Sequence, residues 1–301
     1  MAERSSPPVR VAIDGQAVDA EAAQVSVYDR GFLYGDGVFE TLRSYGAGLF
    51  RLEQHLERLA WSCSEVLIDL PLGVEALTRE VRELTGALRP REAVDVAVRL
   101  VVTRGQGPLG LDVAGCDRPT RVLFVSALAP PDASLYERGV ELVSSSVVRP
   151  SDALGGAKVL SYLPSIVALA QARRRGAHEA LILSREGYVL EGASSNVFAL
   201  REGVLCTPPT SDSILPGITR QVVMDAARAL ELPVEERRLT PGELASADEV
   251  LLSSSLRELV PVVSLAGFAI ADGRVGPWAR RLLDALRETA LRETALRETS
   301  P

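Results

Sequence analysis

Apolar and polar positions along the chain change period several times, and each period predicts an element. Residues 9–14 alternate with period two and end at Gly15, which predicts a strand and a turn. In 51–67, Leu52, His55, Leu56, Leu59 and Ala60 recur at helical spacing, and a second helix is expected over 74–88. Two apolar stretches, 93–103 and 121–128, read as strands. The run Ala129-Pro130-Pro131-Asp132 breaks the pattern and marks a linker.

Beyond the linker, 140–148 reads as a strand and Lys158 follows in a Gly-rich loop. Residues 164–175 read as a helix, with Ile166, Val167, Leu169 and Ala170 as its apolar face. Short strands are expected at 179–184, 188–191, 196–200 and 204–207, a helix over 217–230, and further sheet material at 249–253 and 259–265. Helices and strands mix without a regular βαβ alternation, so the expected class is α+β. The expected organisation is a small α/β domain over 1–128, a linker at 129–134, a large domain over 135–285 and a helical or disordered tail over 286–301, with residues 1–8 disordered.

That tail repeats itself: LRETA, LRETA, LRETS. A five-residue step turns a helix by about 500°, so successive leucines land roughly 140° apart. They make no continuous stripe and hence no coiled coil. The expectation is a frayed, solvated helical extension.

Composition narrows the function classes. A net charge of -7 and the absence of a basic block argue against a nucleic-acid partner. Arg173-Arg174-Arg175 sits where a helix ends and suits its dipole. Cys63, Cys116 and Cys206 show neither a disulfide framework nor zinc spacing. His55 and His178 are the only histidines, too few for a transition-metal site or a Ser-His-Asp triad. No stretch is apolar enough to span a membrane, and the N-terminus has no apolar signal core. The expectation is a cytoplasmic protein with reduced thiols and no metal.

One cation stands out. Lys158 is the only lysine; every other of the 33 Lys and Arg positions is arginine. A guanidinium stays charged and cannot act as a nucleophile, whereas an amine can form a Schiff base. Three further stretches fit the same chemistry. Glu191, in EGASSN, can hold a pyridine nitrogen protonated. LPGITR (215–220) places a turn before a helix start carrying Thr219, a phosphate cradle or an ordinary capped helix. Arg51 and Arg58 flank an amphipathic helix, and either can bind a dianion.

With these residues in place, the chain resembles the class IV aminotransferases, the fold-type IV pyridoxal phosphate enzymes. The resemblance covers roughly 9–285 and rests on DRGFLYGDGVFETLR (29–43), FRLEQHLERL (50–59), AKVLSYLPSIVALAQA (157–172), GYVLEGASSNVFAL (187–200), TPP (207–209) and LPGITR (215–220). It implies a two-domain fold, a small α/β domain and a larger pseudo-barrel domain sandwiching pyridoxal 5′-phosphate, assembled as a homodimer or higher homo-oligomer. It implies Lys158 as the Schiff-base lysine and proton carrier, Glu191 at the pyridine nitrogen and Tyr162 at the ring hydroxyl. Arg58, Ile218, Thr219 and Ser255 would bind the phosphate, and Asn196 would hold the loop after Glu191. Tyr34, Phe39 and Arg99 would shape the substrate pocket.

Within the family, VRLVVTRGQGPLGLD (98–112) is most similar to prokaryotic branched-chain aminotransferases. Leu109 and Leu111 stand where bacterial D-amino acid transaminases carry an Arg and a His for the substrate carboxylate. Ala97 replaces a Tyr of the branched-chain pattern, and SSSLRELVPV (253–262) replaces a small-residue loop. Leu256 and Arg257 would therefore line the substrate site, with Arg257 either recognising a second carboxylate or lying solvated. That loop and ETLRSYG (40–46) are closer to aminodeoxychorismate lyases. The resemblance implies transfer of an amino group from a branched-chain L-amino acid to a 2-oxo acid such as 2-oxoglutarate. The alternatives are aminodeoxychorismate lyase, then D-amino acid or R-amine transaminase, and last a homologue that binds the cofactor without turnover.

Overall fold

The alternation at 9–14 finds its partners in the computed structural model, which describes residues 9–148, 154 and 156–298. Residues 1–8, expected to be disordered, lie outside the described residues. The chain divides into two units. One comprises Met1–Ala129, Ala157–Ser161 and Ala290–Pro301; the other comprises Pro130–Gly156 and Tyr162–Thr289.

The first unit is built on β1 (Val9–Ile13), β2 (Gln16–Val18), α1 (Arg30–Tyr34), β3 (Gly37–Tyr45), β4 (Gly48–Leu49), α2 (Leu52–Glu65), α3 (Val74–Leu88), β5 (Val96–Thr103) and β6 (Thr120–Ala127). Its sheet runs β2-β1-β6-β5-β3-β4, antiparallel throughout. Strand side chains alternate between faces, so one face carries Val38, Leu42, Val96, Val98, Leu100 and Val102 into a core with Leu52, Leu56, Leu59 and Leu77 of the helices. β3 was not among the strands expected from the pattern. Its core-facing positions read Val38, Glu40, Leu42, Ser44, and two polar residues hide the alternation.

The second unit holds α4 (Ser134–Glu137), β7 (Val140–Val148), α5 (Leu163–Arg174), β8 (Glu179–Leu183), β9 (Val189–Gly192), β10 (Asn196–Arg201), β11 (Val204–Thr207), α6 (Ile218–Ala229), β12 (Val234–Glu236), α7 (Pro241–Ala245), β13 (Glu249–Ser254), β14 (Glu258–Leu265) and β15 (Phe268–Ala269). The sheet order is β12-β11-β10-β13-β14-β7-β8-β9, with β15 paired to β14. Parallel pairs (β7 with β8 and β14, β11 with β12) occur beside antiparallel ones, so the fold is α+β.

Two expectations change. The buried side of α5 is Ala168 and Ala172, packed with Val143, Ala180 and Ile182, while Ile166 and Val167 are exposed. Small residues four apart let this helix sit close on the sheet; Leu169 packs beside them, partly buried as expected, while Ile166 and Val167 face outward. The C-terminal repeat is not a solvated extension. It continues α8 (Pro277–Glu298), and Leu286, Ala290 and Thr294 are buried at steps of four while Leu291 is exposed. In the first unit, Arg51 donates to both carboxylate oxygens of Glu293 at 2.7 and 2.6 Å. The diverging leucines were legible; the Leu-Ala-Thr seam was not.

Candidate active site

Lys158 lies in a five-residue segment of the first unit whose flanking residues, Gly156 and Tyr162, both belong to the second. Its backbone is fixed against β3. Phe39 N–H donates to Lys158 O at 2.9 Å, and Leu160 N–H donates to Gly37 O at 2.8 Å. Lys158 N–H donates to Ser62 Oγ of α2 at 3.2 Å. Gly37 is required by this approach. A Cβ there would lie 2.6 Å from Val102 O and 2.7 Å from Leu160 Cδ1. Lys158 Nζ stands 4.6 Å from the centre of the Phe39 ring, and Arg99 stacks on the same ring at 3.8 Å. Phe39 and Arg99 share the sheet face away from the helices, because Thr41 pairs with Arg99 in the β3–β5 register.

Tyr34 ends α1, whose start is capped by Asp29 accepting from Gly31 N–H at 2.8 Å. The Tyr34 hydroxyl accepts from Gly110 N–H at 2.8 Å, and Arg30 stacks on its ring. The charges of the DRGFLYGDG stretch hold this corner: Asp36 accepts from Arg30 at 2.9 Å and from Arg104 at 2.8 Å.

Beneath β3 lies a buried group that the sequence reading missed. Glu40, fully enclosed, accepts from Arg58 Nε and NH2 at 2.7 Å each and from His55 Nδ1 at 2.7 Å. Burial alone pushes the Glu40 carboxyl up, but the charges and hydrogen bonds of Arg58 and His55 hold it down at about 2. Burial lowers the His55 pKa, with Glu40 opposing and the Arg58 and Lys158 charges adding. An ionised carboxylate only accepts, so the ring donates to Glu40 from Nδ1. The signal was present in His55 falling on an apolar helix face. A buried imidazole needs a polar partner, and Glu40 supplies it.

In the second unit, Glu191 on β9 is buried and its Oε2 accepts from Asn196 Nδ2 at 3.1 Å and Leu215 N–H at 3.2 Å. Asn196 also donates to Leu215 O at 2.9 Å. The turn before α6 is pressed on this amide. A Cβ on Gly217 would fall 2.0 Å from Asn196 Oδ1, so the residue must be glycine. α6 then opens at Ile218 with no side-chain cap on its free N–H groups. Thr219, almost buried at 7% exposure, has no hydrogen bond from its hydroxyl among the described residues. An uncapped helix start beside an unpaired hydroxyl fits a phosphate dianion. Tyr162 precedes α5, and its carbonyl accepts from Ile166 N–H at 2.9 Å. Ser255 and Leu256 lie in the turn between β13 and β14. Arg257, in the same turn, keeps a quarter of its side-chain surface exposed, but its guanidinium is not left to water. It bonds Glu179, Ser194 and His178.

The model of the family described as amino-transferase class IV matches residues 37–265. The chain belongs to the class IV aminotransferases. A protein of Methanocaldococcus jannaschii provisionally called a branched-chain-amino-acid aminotransferase is 40% identical over 282 residues, 93% of this chain and 96% of that protein. A D-alanine aminotransferase of Staphylococcus epidermidis is 35% identical over 274 residues, 91% of this chain and 95% of the relative. The crystal structure of the branched-chain aminotransferase of the archaeon Thermoproteus uzoniensis with norvaline superposes with a TM-score of 0.87 at 34% identity, covering 94% of this chain and 95% of that one.

A class IV aminotransferase is a pyridoxal phosphate enzyme, and the residues of this chain fit the group. The first unit carries a backbone-anchored amine at Lys158. Within the second unit, Glu191 is a buried carboxylate and α6 has an uncapped start. Among the described residues, no group of three or more His, Cys, Asp or Glu side chains could hold a metal ion, and no helix is long and apolar enough to cross a membrane.

Proposed function

We propose that the protein transfers the amino group of a branched-chain L-amino acid to a 2-oxo acid such as 2-oxoglutarate in ping-pong fashion. The observation that carries this reading is the anchoring of Lys158, the chain's one lysine, by hydrogen bonds on both sides of its Cα. Pyridoxal phosphate, when bound, supplies the sink for the electron pair left at Cα. Lys158 holds the cofactor through its amine and then moves the proton at the substrate Cα. Glu191, held in place by Asn196 and Leu215, would pair with the pyridine nitrogen and keep it protonated. Tyr162 would donate to the ring hydroxyl. The Ile218 N–H, the Thr219 and Ser255 hydroxyls and Arg58 hold the phosphate. The side-on pair with Glu40 fixes the plane in which the Arg58 guanidinium is presented. Tyr34, Phe39, Arg99 and Leu256 shape the substrate site.

The branched-chain assignment is supported by the Methanocaldococcus jannaschii relative and by Leu109 and Leu111, both exposed and apolar, which offer a substrate carboxylate no charge. We place the enzyme in the cytoplasm as a homodimer or a multiple of it.

The test is the visible absorption of the purified enzyme before and after L-leucine, with no oxo acid present. The bound-cofactor band is expected to decay to that of the pyridoxamine form. D-Alanine in place of L-leucine tests the second reading, which the Staphylococcus epidermidis relative supports. A response to D-alanine alone would replace the branched-chain assignment. Lys158→Arg is expected to remain folded and lose all turnover, and retained turnover would sink the mechanism.

A further inference from the structure

Glu179 opens β8 with no exposed surface, and a buried carboxylate needs donors. Its Oε2 accepts from the Ser194 hydroxyl at 2.7 Å, from Arg257 NH2 at 3.0 Å and, more weakly, from the Ser195 hydroxyl at 3.4 Å. Its Oε1 accepts from Ala180 N–H at 3.1 Å. Arg257 NH2 also donates to Ser194 Oγ at 2.7 Å and reaches the Ser194 carbonyl at 3.4 Å. Arg257 NH1 donates to His178 Nε2 at 3.1 Å. The imidazole is able to accept because burial first, then the Arg257 and Arg173 charges, hold its pKa down at about 4 against the pull of Glu179.

Both terminal nitrogens of Arg257 are thus committed inside the protein, and its charge is compensated by Glu179. Its partners sit at two informative places. Ser194 lies in the loop from Glu191 to Asn196. Arg257 itself shares a turn with Ser255 and Leu256. An Arg fork that bridges two loops fixes their separation with more geometric definition than a point charge would.

We propose that Arg257 is a positioning residue. Through Glu179 and Ser194 it locks the 255–257 turn to the 191–196 loop, and so sets Ser255 for the phosphate relative to Glu191 for the pyridine nitrogen. It does not bind substrate carboxylates. This rests on the reading above of Ser255 and Glu191 as cofactor-binding residues.

The experiment compares wild type with Arg257→Ala and Glu179→Gln. Each apoprotein is titrated with pyridoxal phosphate by absorbance, and each holoenzyme is assayed with L-leucine against two acceptors, the dicarboxylate 2-oxoglutarate and a monocarboxylate, 2-oxobutanoate. Both variants are expected to weaken cofactor binding by about tenfold, the scale of one charge-assisted hydrogen bond. Both are expected to leave the ratio of kcat/KM for the two acceptors unchanged. If Arg257→Ala does not fold, Arg257→Gln keeps most of the side chain's volume and takes its place. A selective loss of the dicarboxylate, with cofactor affinity intact, would make Arg257 a substrate ligand and overturn the proposal. So would a Glu179→Gln enzyme that binds the cofactor as wild type does. A wild type that takes up no pyridoxal phosphate overturns the proposed function as well, which separates the two failures.

Discussion

Among the described residues, each unit encloses a carboxylate completely, Glu40 in the first and Glu179 in the second, and each is paired with an arginine beside one of the chain's two histidines. The wiring differs. In the first unit Glu40 is the hub. Arg58 grips it side-on through two bonds, His55 donates to it, and both partners are nearly buried. In the second, Arg257 is the hub. It lies between Glu179 and His178, it is a quarter exposed, and two serine hydroxyls share the carboxylate. A closed pair shut away from water contributes little when intact but costs a great deal when halved. A pair with a partly wet arginine and spare hydroxyls tolerates the loss of one member better.

Removing the carboxylate from each network breaks the comparison most directly. Glu40→Ala leaves the buried Arg58 without its counter-charge and is expected to cost about 3–5 kcal/mol of unfolding free energy. It is also expected to weaken cofactor binding, because Arg58 and the Ser62 anchor of Lys158 sit on the same helix. Glu179→Ala leaves Arg257 able to turn to water and is expected to cost about 1–3 kcal/mol. Urea denaturation of both variants checks the order. Equal losses would mean that the wiring difference has no energetic consequence.

The same contrast explains what the sequence made legible. The helix carrying His55 was readable because its apolar residues repeat at helical spacing, and the imidazole sat on that face. Glu40 was not, because β3 interleaves it with Val38 and Leu42 and its partners come from a different element. The Arg257 network was still less accessible. Its partners lie 78 and 63 positions away, and only the strand order β14-β7-β8-β9 brings them to the turn. Motifs such as LPGITR and EGASSN identify themselves because their contacts are closer in sequence: Glu191 is 5 positions from Asn196 and 24 from Leu215. The α5 face was misread for a related reason. Periodicity names an apolar face, and Leu169 of that face does pack on the core, but the close approach to β7 and β8 is made by two alanines rather than by Ile166 and Val167.

The C-terminal repeat supplies a third arginine–glutamate pair, the wettest of the three. Arg51 and Glu293 keep 21% and 27% of their side-chain surface exposed. A pair of that kind contributes about 0.2–1 kcal/mol. Arg51 also adopts a left-handed conformation at φ 54° as it caps α2, so its backbone is already constrained. Glu293→Ala is therefore expected to lower the unfolding free energy by less than Glu179→Ala does. The buried seam of the same helix, tested by Ala290→Asp, is expected to cost more than the ion pair. Thermal unfolding of the two variants separates the seam from the pair.

A pH dependence follows from the sign of two shifts. Glu40 is held at about 2, below the ordinary carboxylate range, so its contribution to stability is present at neutral pH and is lost only as the pH falls toward that value. His178 is held at about 4, below an ordinary imidazole near 6.5. Its unfolded form therefore takes up a proton first, and stability drains as the pH falls from about 6.5 toward 4. His178→Asn removes that titration while leaving an acceptor for Arg257. The stability gap between wild type and this variant is expected to be constant above about pH 7 and to move against wild type at about pH 5. His55, lowered in the same direction, titrates alike in both proteins and cancels in the difference. A gap that stays constant across that range would place the His178 proton elsewhere. The Arg257 hub would then differ from the Glu40 hub in wetness alone.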